Sequence, residues 1–480
     1  MDVKEDTAFL QSVLSMHHSK DWNTLRKKAL KQIRISPLPS SDQEDWKYLD
    51  LSPIYSQTFF HSKHSEPLHQ PLELHLAAET IHSRLVFVNG QMDSQLSDTS
   101  ALDRAIRFSV IAGSEKETPM VSDTKLRSND IERETPKFFN RGQSPHLKNL
   151  RVPLSRHLIP GCNPLIAPWY ENLGKMARPE SSDMFANINT ACFEDGVLVY
   201  IPRGRSVEVP LHLVYHSIGT KTTKPPIYFP RILVVLEPGA KAQLIEEYSG
   251  NGKYLTNSVV EIILGEGAYL KHDRIQRESM EAFHFCTLHA DIARSASYSS
   301  NSISLGAAIS RHNPTAMLAG AFAELQINGL SMLNTFQVAD THSLIDHIVQ
   351  DCSSRQLHKF ILDESAHGIF NGRVMVRHGA QRTDASQSSR TILLAQGARI
   401  DTKPQLEILT DDIKCSHGAT VGQLDAEELF YLQSRGLDLF TARNLLLIGF
   451  AADVINNVST PSLRQSLLRH VLAPTHTSQS

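Results

Sequence analysis

The stretch ILVVLEPGAKAQLIEEY, Ile232 to Tyr248, decides the fold, and VVEIILGEGAYLKH, Val259 to His272, repeats its design. Each is an apolar run of four to six residues, a Gly-Ala corner and a second short run, the pattern of strands bounded by turns. VLVYIPRG, VMVRHGAQ, TILLAQGARID and KCSHGATVG follow the same plan. Gly239, Gly267, Gly379, Gly397 and Gly418 fall at the turns, the last three 18 and 21 residues apart, which predicts a strand-turn unit of about 20 residues. Such a unit cannot bury its apolar face alone and must stack on its neighbours. The reading is a mainly β protein with a parallel β-helix core. In it Val234, Leu236, Ile262 and Leu264 point inward and the glycines supply positive-φ corners. Sandwiches and cupin-type barrels share the even strand spacing.

The flanks read differently. Phe9, Leu10, Val13 and Leu14 have helical spacing, as do Trp22, Leu25, Ala29 and Ile33, and Pro37 and Pro39 end the second run. Residues 1–113 are therefore expected to be a helical or mixed region, 114–145 a polar linker or loop, 146–422 the β-helix core and 423–480 a helical domain. Asp425 with Glu428 forms a capping-box-like helix start, Gly436 sits where a C′ glycine belongs, and a second helix is expected from near Asp438. Between Ala442 and Ile455 the only charges are Arg443 and Asp453. A helix apolar nearly all round must be covered on more than one side, by its own domain or by a partner.

Composition narrows the function. Lys and Arg total 48 against 51 Asp and Glu, a net charge of -3, so no basic field is available to hold nucleic acid. The longest apolar run, Leu445 to Ala452, falls far short of the roughly 18 residues that a membrane span needs. The start, MDVKEDTAFL, resembles neither a secretory signal nor a transit peptide, so a cytoplasmic location is expected. The five cysteines, Cys162, Cys192, Cys286, Cys352 and Cys415, are scattered and contain no CxxC, which fits free thiols in a reducing compartment.

Cys415 and His417 carry the chemistry of most interest. Two apart in a strand, thiol and imidazole share a face about 7 Å apart along the chain, and the pair suits iron, zinc or copper. A small buried Cys and a hydrogen-bonded core His are the alternative. His284, Cys286 and His289 form a second metal-capable group, but a strand sends His289 to the opposite face, which favours packing. His342 with His347, and His17 with His18, are expected at the solvent-exposed surface. Gly250 to Tyr254, GNGKY, lacks the full phosphate-binding loop, and no G-x-S-x-G is present.

The run Cys415-Ser416-His417-Gly418-Ala419-Thr420, with the two helical segments after it, resembles the close of the β-rich core in SufD, within the SufB/SufD family of iron-sulfur cluster assembly proteins. The likeness runs from about Phe185 to Val458, and Asp45-Trp46-Lys47-Tyr48 is similar to an aromatic pair near the family's N-terminal domain. The resemblance implies a right-handed β-helix between helical regions, acting as a non-enzymatic subunit of the SUF scaffold complex in cluster assembly and iron acquisition. The implied partners are a SufB-type scaffold paired through the end of the β-helix and a SufC-type ATPase docked on the C-terminal helices, with Leu445, Leu446, Ile448 and Phe450 as candidate contacts. His417 becomes the principal candidate for contacting a nascent cluster shared with the SufB-type partner, and Cys415 the second. Reduced flavin is associated with such complexes, and no residue here can be assigned to it.

SufB-type chains have His-Glu-Ala-Thr where this chain has His417-Gly418-Ala419-Thr420, and a scaffold Cys in the strand corresponding to Ser388–Leu394, here SSRTILL. Both departures favour the SufD type over a self-sufficient SufB-like scaffold. The alternative from another class, a secreted β-helix enzyme acting on polysaccharide, needs carboxylates or basic residues grouped on one outer face and an export signal.

Overall fold

Side chains at every second strand position meet in a common interior, and this alternation winds the chain into a flattened parallel β-helix of about seven turns. The structure, a computed structural model, describes residues 7–16, 23–61, 74, 76–102, 107–112, 183–220 and 224–472. The expected linker at 114–145, Cys162, and His17 with His18 lie outside the described residues.

The strands are β1 (Phe60–His61), β2 (Arg84–Val88), β3 (Gln91–Asp98), β4 (Arg107–Ala112), β5 (Asp195–Ile201), β6 (Leu211–Ile218), β7 (Pro226–Tyr228), β8 (Arg231–Leu236), β9 (Lys241–Asn251) and β10 (Leu255–Leu264). They continue as β11 (Tyr269–Arg277), β12 (Phe283–Ile292), β13 (Ser297–Ser304), β14 (Ile309–Leu318), β15 (Glu324–Leu333), β16 (Val338–His347), β17 (Ser353–Leu362), β18 (His367–Val376), β19 (Asp384–Leu393), β20 (Arg399–Ile408) and β21 (Lys414–Gly422). From β8 the even-numbered strands to β20 form one parallel sheet, and from β9 the odd-numbered strands to β21 form the other. Strands β5 and β6 extend the two sheets in parallel, whereas β4 and β3 end them antiparallel. Irregular register between Arg84 and Val86 bends the β2–β3 pair, and Ser97 accepts the Val86 N–H at 2.9 Å while donating to the Asp93 carbonyl at 2.6 Å.

The coil is longer than its glycines suggest. Lys241, Tyr269, Ser297, Glu324, Ser353, Asp384 and Lys414 stack in register, so each turn spans 27 to 31 residues rather than about 20. One left-handed corner recurs at Gly239, Gly267, Ser295, Phe322, Asp351, Arg382 and Asp412. Glycine therefore marks only the first two of these seven corners, while Gly379 and Gly397 lack positive φ and Gly418 lies within β21. A side chain in this backbone region costs about 1–2 kcal/mol. The ladder offsets that cost: the corner N–H of Gly239, Gly267, Ser295, Asp351 and Arg382 each bonds a carbonyl of the next turn at 2.7–3.0 Å.

Val234, Leu236, Ile262 and Leu264 do line the interior. Strand β8 reads as a nearly continuous apolar run, and both it and β10 are buried along almost their whole length, because their outer face is also covered. The cover includes the helix Met184–Cys192, which occupies the place where strands were expected to begin near Phe185. Asp183 caps it, accepting from Ala186 N at 3.0 Å, and Arg26 from the helix Asn23–Ile35 bonds the carbonyls of Ala191 and Phe193 at its other end. Beneath it Arg231 pairs with Glu261 and also donates to Thr190 at 3.0 Å, so this buried charge is paired.

Asp45-Trp46-Lys47-Tyr48 is an anchor for the N-terminal region. Trp46 is buried against Phe185 and Phe285, rings that stack at 4.0 Å, and the Arg311 guanidinium lies 3.7 Å over the indole. Arg311 also bonds the Asp45 carbonyl at 2.8 Å and Asp340 at 2.5 Å. Trp46→Ala is expected to cost about 3 kcal/mol through lost packing and cation–π contact. Chemical denaturation measures the loss; a change under about 1 kcal/mol contradicts the anchoring role.

The C-terminal helices turn back onto the outer face of the odd-numbered sheet. Leu447, Ala451, Val454 and Ile455 of the helix Leu439–Ile455, with Leu463 and Leu467 of the helix Pro461–Leu472, pack on Ile245, Ile275, Ile303, Leu330 and Ile361. Lys359 fastens the contact, donating to the Phe450 carbonyl at 2.7 Å and to Asp453 at 2.6 Å. Asp425 and Asp438 are N-caps, and Gly436 has φ 92° at the intervening turn.

Candidate functional site

Strand β21 is the last rung of its sheet and pairs only with β19 among the described residues, so its second edge is open. Its entry is fixed at the corner, where Arg382 N bonds the Asp412 carbonyl at 2.7 Å and Lys414 N bonds the Thr383 carbonyl at 2.8 Å. Cys415 is half-buried against the interior apolar cluster, while every other residue of the strand is exposed. His417 therefore follows Cys415 on the inward side, at the mouth of the β-helix. Burial pushes the Cys415 thiol up, so it stays protonated at neutral pH unless a metal or a new neighbour displaces the proton. Around Gly418 a Cβ would meet nothing within 4 Å, which leaves the strand approachable.

Beneath His417, Gln387 of β19 is its register partner and Gln356 of β17 is the next rung. Gln387 donates to Gln356 Oε1 at 2.7 Å, and Gln356 donates to Ser343 Oγ at 2.7 Å. Sequence reading did not single out this amide ladder, since inward glutamines in a strand pattern look like ordinary polar positions.

The second metal-capable group has another role. His284 lies in the interior, where Arg274 bonds its Nε2 at 2.6 Å and its Nδ1 faces Glu278 at 2.6 Å. Arg274 must donate, so Nε2 is bare and the ring proton sits on Nδ1, beside the carboxylate. Burial drives the His284 pKa down, consistent with this neutral ring, whereas Glu278, which burial alone would raise, is brought below the usual carboxylate range by His284 and three hydrogen bonds. Glu246 is held by His272 at 2.8 Å and Tyr248 at 2.9 Å. Cys286 is buried with its thiol pushed up, and His289 lies on the opposite, partly exposed face. Among the described residues no three His, Cys, Asp or Glu side chains converge as a metal site.

Two histidines expected in solvent are not there. His347 is buried on the inward face of β16, level with Leu318 and Val376 of the interior, and bonds Ser354 at 2.9 Å, while His342, on the outward face, is largely covered beside Asp45 of the N-terminal region. Burial lowers both, to about 4.

Of the candidate docking residues, Leu445 is 45% exposed and Leu446 is partly exposed, while Ile448 and Phe450 pack toward the β-helix. The apolar surface next to Leu445 consists of Leu439 and Phe440, 54% exposed, with Phe430, 72% exposed, and Tyr431 on the helix Ala426–Ser434, none of whose residues is buried. An all-round apolar helix has no phase from which the outward side can be read, so these residues were missed. Among the described residues no helix is long and apolar enough to cross a membrane.

Comparison with known proteins adds an independent line. The model for the SufBD core domain of SUF system FeS cluster assembly matches residues 218–450. An iron-sulfur cluster assembly SufBD family protein of Synechocystis is 32% identical over 440 residues, 90% of this chain and 86% of that protein. The Escherichia coli iron-sulfur cluster assembly protein SufD is 32% identical over 292 residues, 60% of this chain and 69% of its own. A chloroplastic Arabidopsis thaliana protein, ABCI7, is 35% identical over 301 residues, 61% of this chain and 63% of its own.

Proposed function

Because the chain belongs to the SufBD family of SUF iron-sulfur cluster assembly proteins, we propose that it is a SufD-type, non-enzymatic subunit that contributes one half of a shared assembly site. The observation that carries this reading is the open rung: Cys415 and His417 sit on a strand with an unpaired edge at the mouth of the β-helix. Two side chains are too few to hold iron and sulfide tetrahedrally. The missing ligands come from a SufB-type β-helix that pairs along this end. Sheet extension supplies main-chain hydrogen bonds and sets the register of the two halves. The cluster is cargo, assembled transiently across the interface, and iron acquisition would use the same ligands. The chain works in the cytoplasm or an equivalent reducing compartment, where Cys415 stays a thiol.

The exposed Phe430, Tyr431, Leu439, Phe440 and Leu445 form the surface for a SufC-type ATPase. Their helices rest directly on the odd-numbered sheet through Leu447, Ala451 and Lys359, so force applied there reaches the rungs that lead to β21. The test is co-expression with a SufB-type scaffold and a SufC-type ATPase, followed by copurification and anaerobic iron and acid-labile sulfide analysis. A chain that recovers neither partner overturns the proposal. Phe440→Asp is expected to weaken ATPase capture about tenfold, since docking would desolvate a carboxylate without a partner. It should leave the melting temperature unchanged, because Phe440 is already exposed. Retention of the ATPase at the wild-type ratio contradicts this docking surface.

A further inference from the structure

Gln387 is 2% exposed, and its Oε1 is a buried acceptor with no hydrogen-bond partner among the described residues. Its amide orientation is set from below. Gln387 spends its Nε2 on Gln356 Oε1, and Gln356 spends its own on Ser343, so the free oxygen of Gln387 remains at the top of the ladder. The next rung above it, one strand spacing of about 4.8 Å away, is His417. His417 is exposed and, among the described residues, makes no hydrogen bond. An orphaned buried acceptor and a ring without a hydrogen bond thus occupy register-paired positions on adjacent rungs at the mouth of the β-helix.

We propose that Gln387 is a positioning residue for His417: in the assembled interface Gln387 Oε1 accepts the hydrogen bond of one ring N–H, leaving the other nitrogen bare and turned toward the shared site. The inference rests on the assignment of His417 to that site. Its physical reason is that an imidazole binds metal only through an unprotonated nitrogen, and the hydrogen bond at the opposite nitrogen decides which one that is. A carbonyl oxygen that cannot donate selects one tautomer, and closing the end of the β-helix removes the water that would otherwise satisfy the ring. The Gln387 amide can flip only if Gln356 and Ser343 reverse with it, so the arrangement that leaves its oxygen at the top is held by the whole ladder before a partner arrives.

The test uses the full chain assembled with its scaffold and ATPase partners, with iron and acid-labile sulfide per complex as the readout. Gln387→Leu keeps bulk and removes the acceptor, and is expected to lower the yield about tenfold, in the range found when an outer partner of a metal-binding His is lost. Gln387→Glu keeps an acceptor at the same place, and Gln356 can reverse its amide to donate to it while Ser343 donates in turn. It is expected to retain at least half the wild-type yield. A residue that merely packs gives the opposite order, because a buried carboxylate harms folding more than a leucine does. That order overturns the proposal, and if Gln387→Leu proves unstable, a folded Gln387→Glu complex with less than half the wild-type yield overturns it instead. In a His417→Ala background, Gln387→Leu is expected to add no further loss, and independent multiplication of the two losses likewise overturns it. If His417→Ala alone leaves the yield unchanged, the assignment of the site itself has failed. If His417→Ala lowers the yield and the Gln387 variants do not, only the present inference has.

Discussion

Substituting His417→Ala is expected to reduce cluster formation in the assembled complex about a hundredfold while leaving the melting temperature within a degree of wild type. The two halves of the expectation have separate causes. His417 is exposed and makes no hydrogen bond among the described residues, so its removal takes almost nothing from the packed interior. Its loss from a shared site removes a ligand outright, and even an outer-sphere partner of a metal ligand is worth ten- to a hundredfold. Cys415→Ser keeps the shape while replacing a soft thiolate with a poor ligand. It is expected to have a smaller effect if Cys415 contributes only after closure, since burial holds its thiol protonated in the open chain. Iron and acid-labile sulfide per complex, with a thermal melt of each variant, measure both halves. Unchanged cluster yield with a melting temperature lowered by about 5 °C, the shift expected for roughly 1 kcal/mol, identifies His417 as structural instead.

Acid lability is the second large effect. His312, His347 and His358 are buried and uncharged, and burial lowers their pKa values, His347 to about 4, His358 to about 3 and His312 well below its ordinary value. In the unfolded chain each returns to about 6.5. Between roughly pH 6 and pH 4 these three groups alone let the unfolded state bind up to about three more protons than the folded one, and stability falls as pH falls. These three groups contribute up to about 4 kcal/mol per pH unit, at about 1.4 kcal/mol each, and His284 and His342, also lowered by burial, steepen the slope in the same direction. Below that window Glu246 and Glu278, whose carboxyls lie under their ordinary value, add to the loss as they protonate. Asp340 opposes it, since burial raises its pKa and the folded state takes that proton first. Denaturant midpoints between pH 7 and pH 4.5 check the slope, and His358→Met should flatten it by one proton. A slope below one proton in the wild type contradicts the buried neutral state of these rings.

What the sequence made legible was governed by local chemistry. The inward alternation of Val234, Leu236, Ile262 and Leu264 follows from the two-residue period of a strand, and the caps at Asp425 and Asp438 from the need to satisfy the first helical N–H groups. Cys415 and His417 were legible as a pair for the same reason. The coil length was not, because the recurring corner changes residue type: Gly239 and Gly267 mark it, then Ser295, Phe322, Asp351, Arg382 and Asp412 occupy it at a cost the inter-turn hydrogen bonds offset. Counting Gly379, Gly397 and Gly418 mixed a strand position with different bends. Long-range cover was hidden as well. Nothing near His342 announces that Asp45, some 300 positions earlier, lies beside it, and nothing within Leu439–Ile455 says which side rests on Ile245 and Ile361.

The two ends of the β-helix differ in a way that bears on stoichiometry. At the first, β3 and β4 reverse direction, the β2–β3 pair is bent by its register shift, and Ser97 turns its hydroxyl back onto its own hairpin. A foreign strand finds no straight parallel template there. At the last, β20 and β21 end in the same direction and register as every rung before them. The particle is in effect monovalent. Rods sticky at both ends grow into fibres of unlimited length, but a rod sticky at one end is saturated by a single mate, at any concentration. Under the proposed end-to-end pairing, assembly along this axis would stop at two β-helices, with the junction they enclose occurring once per particle.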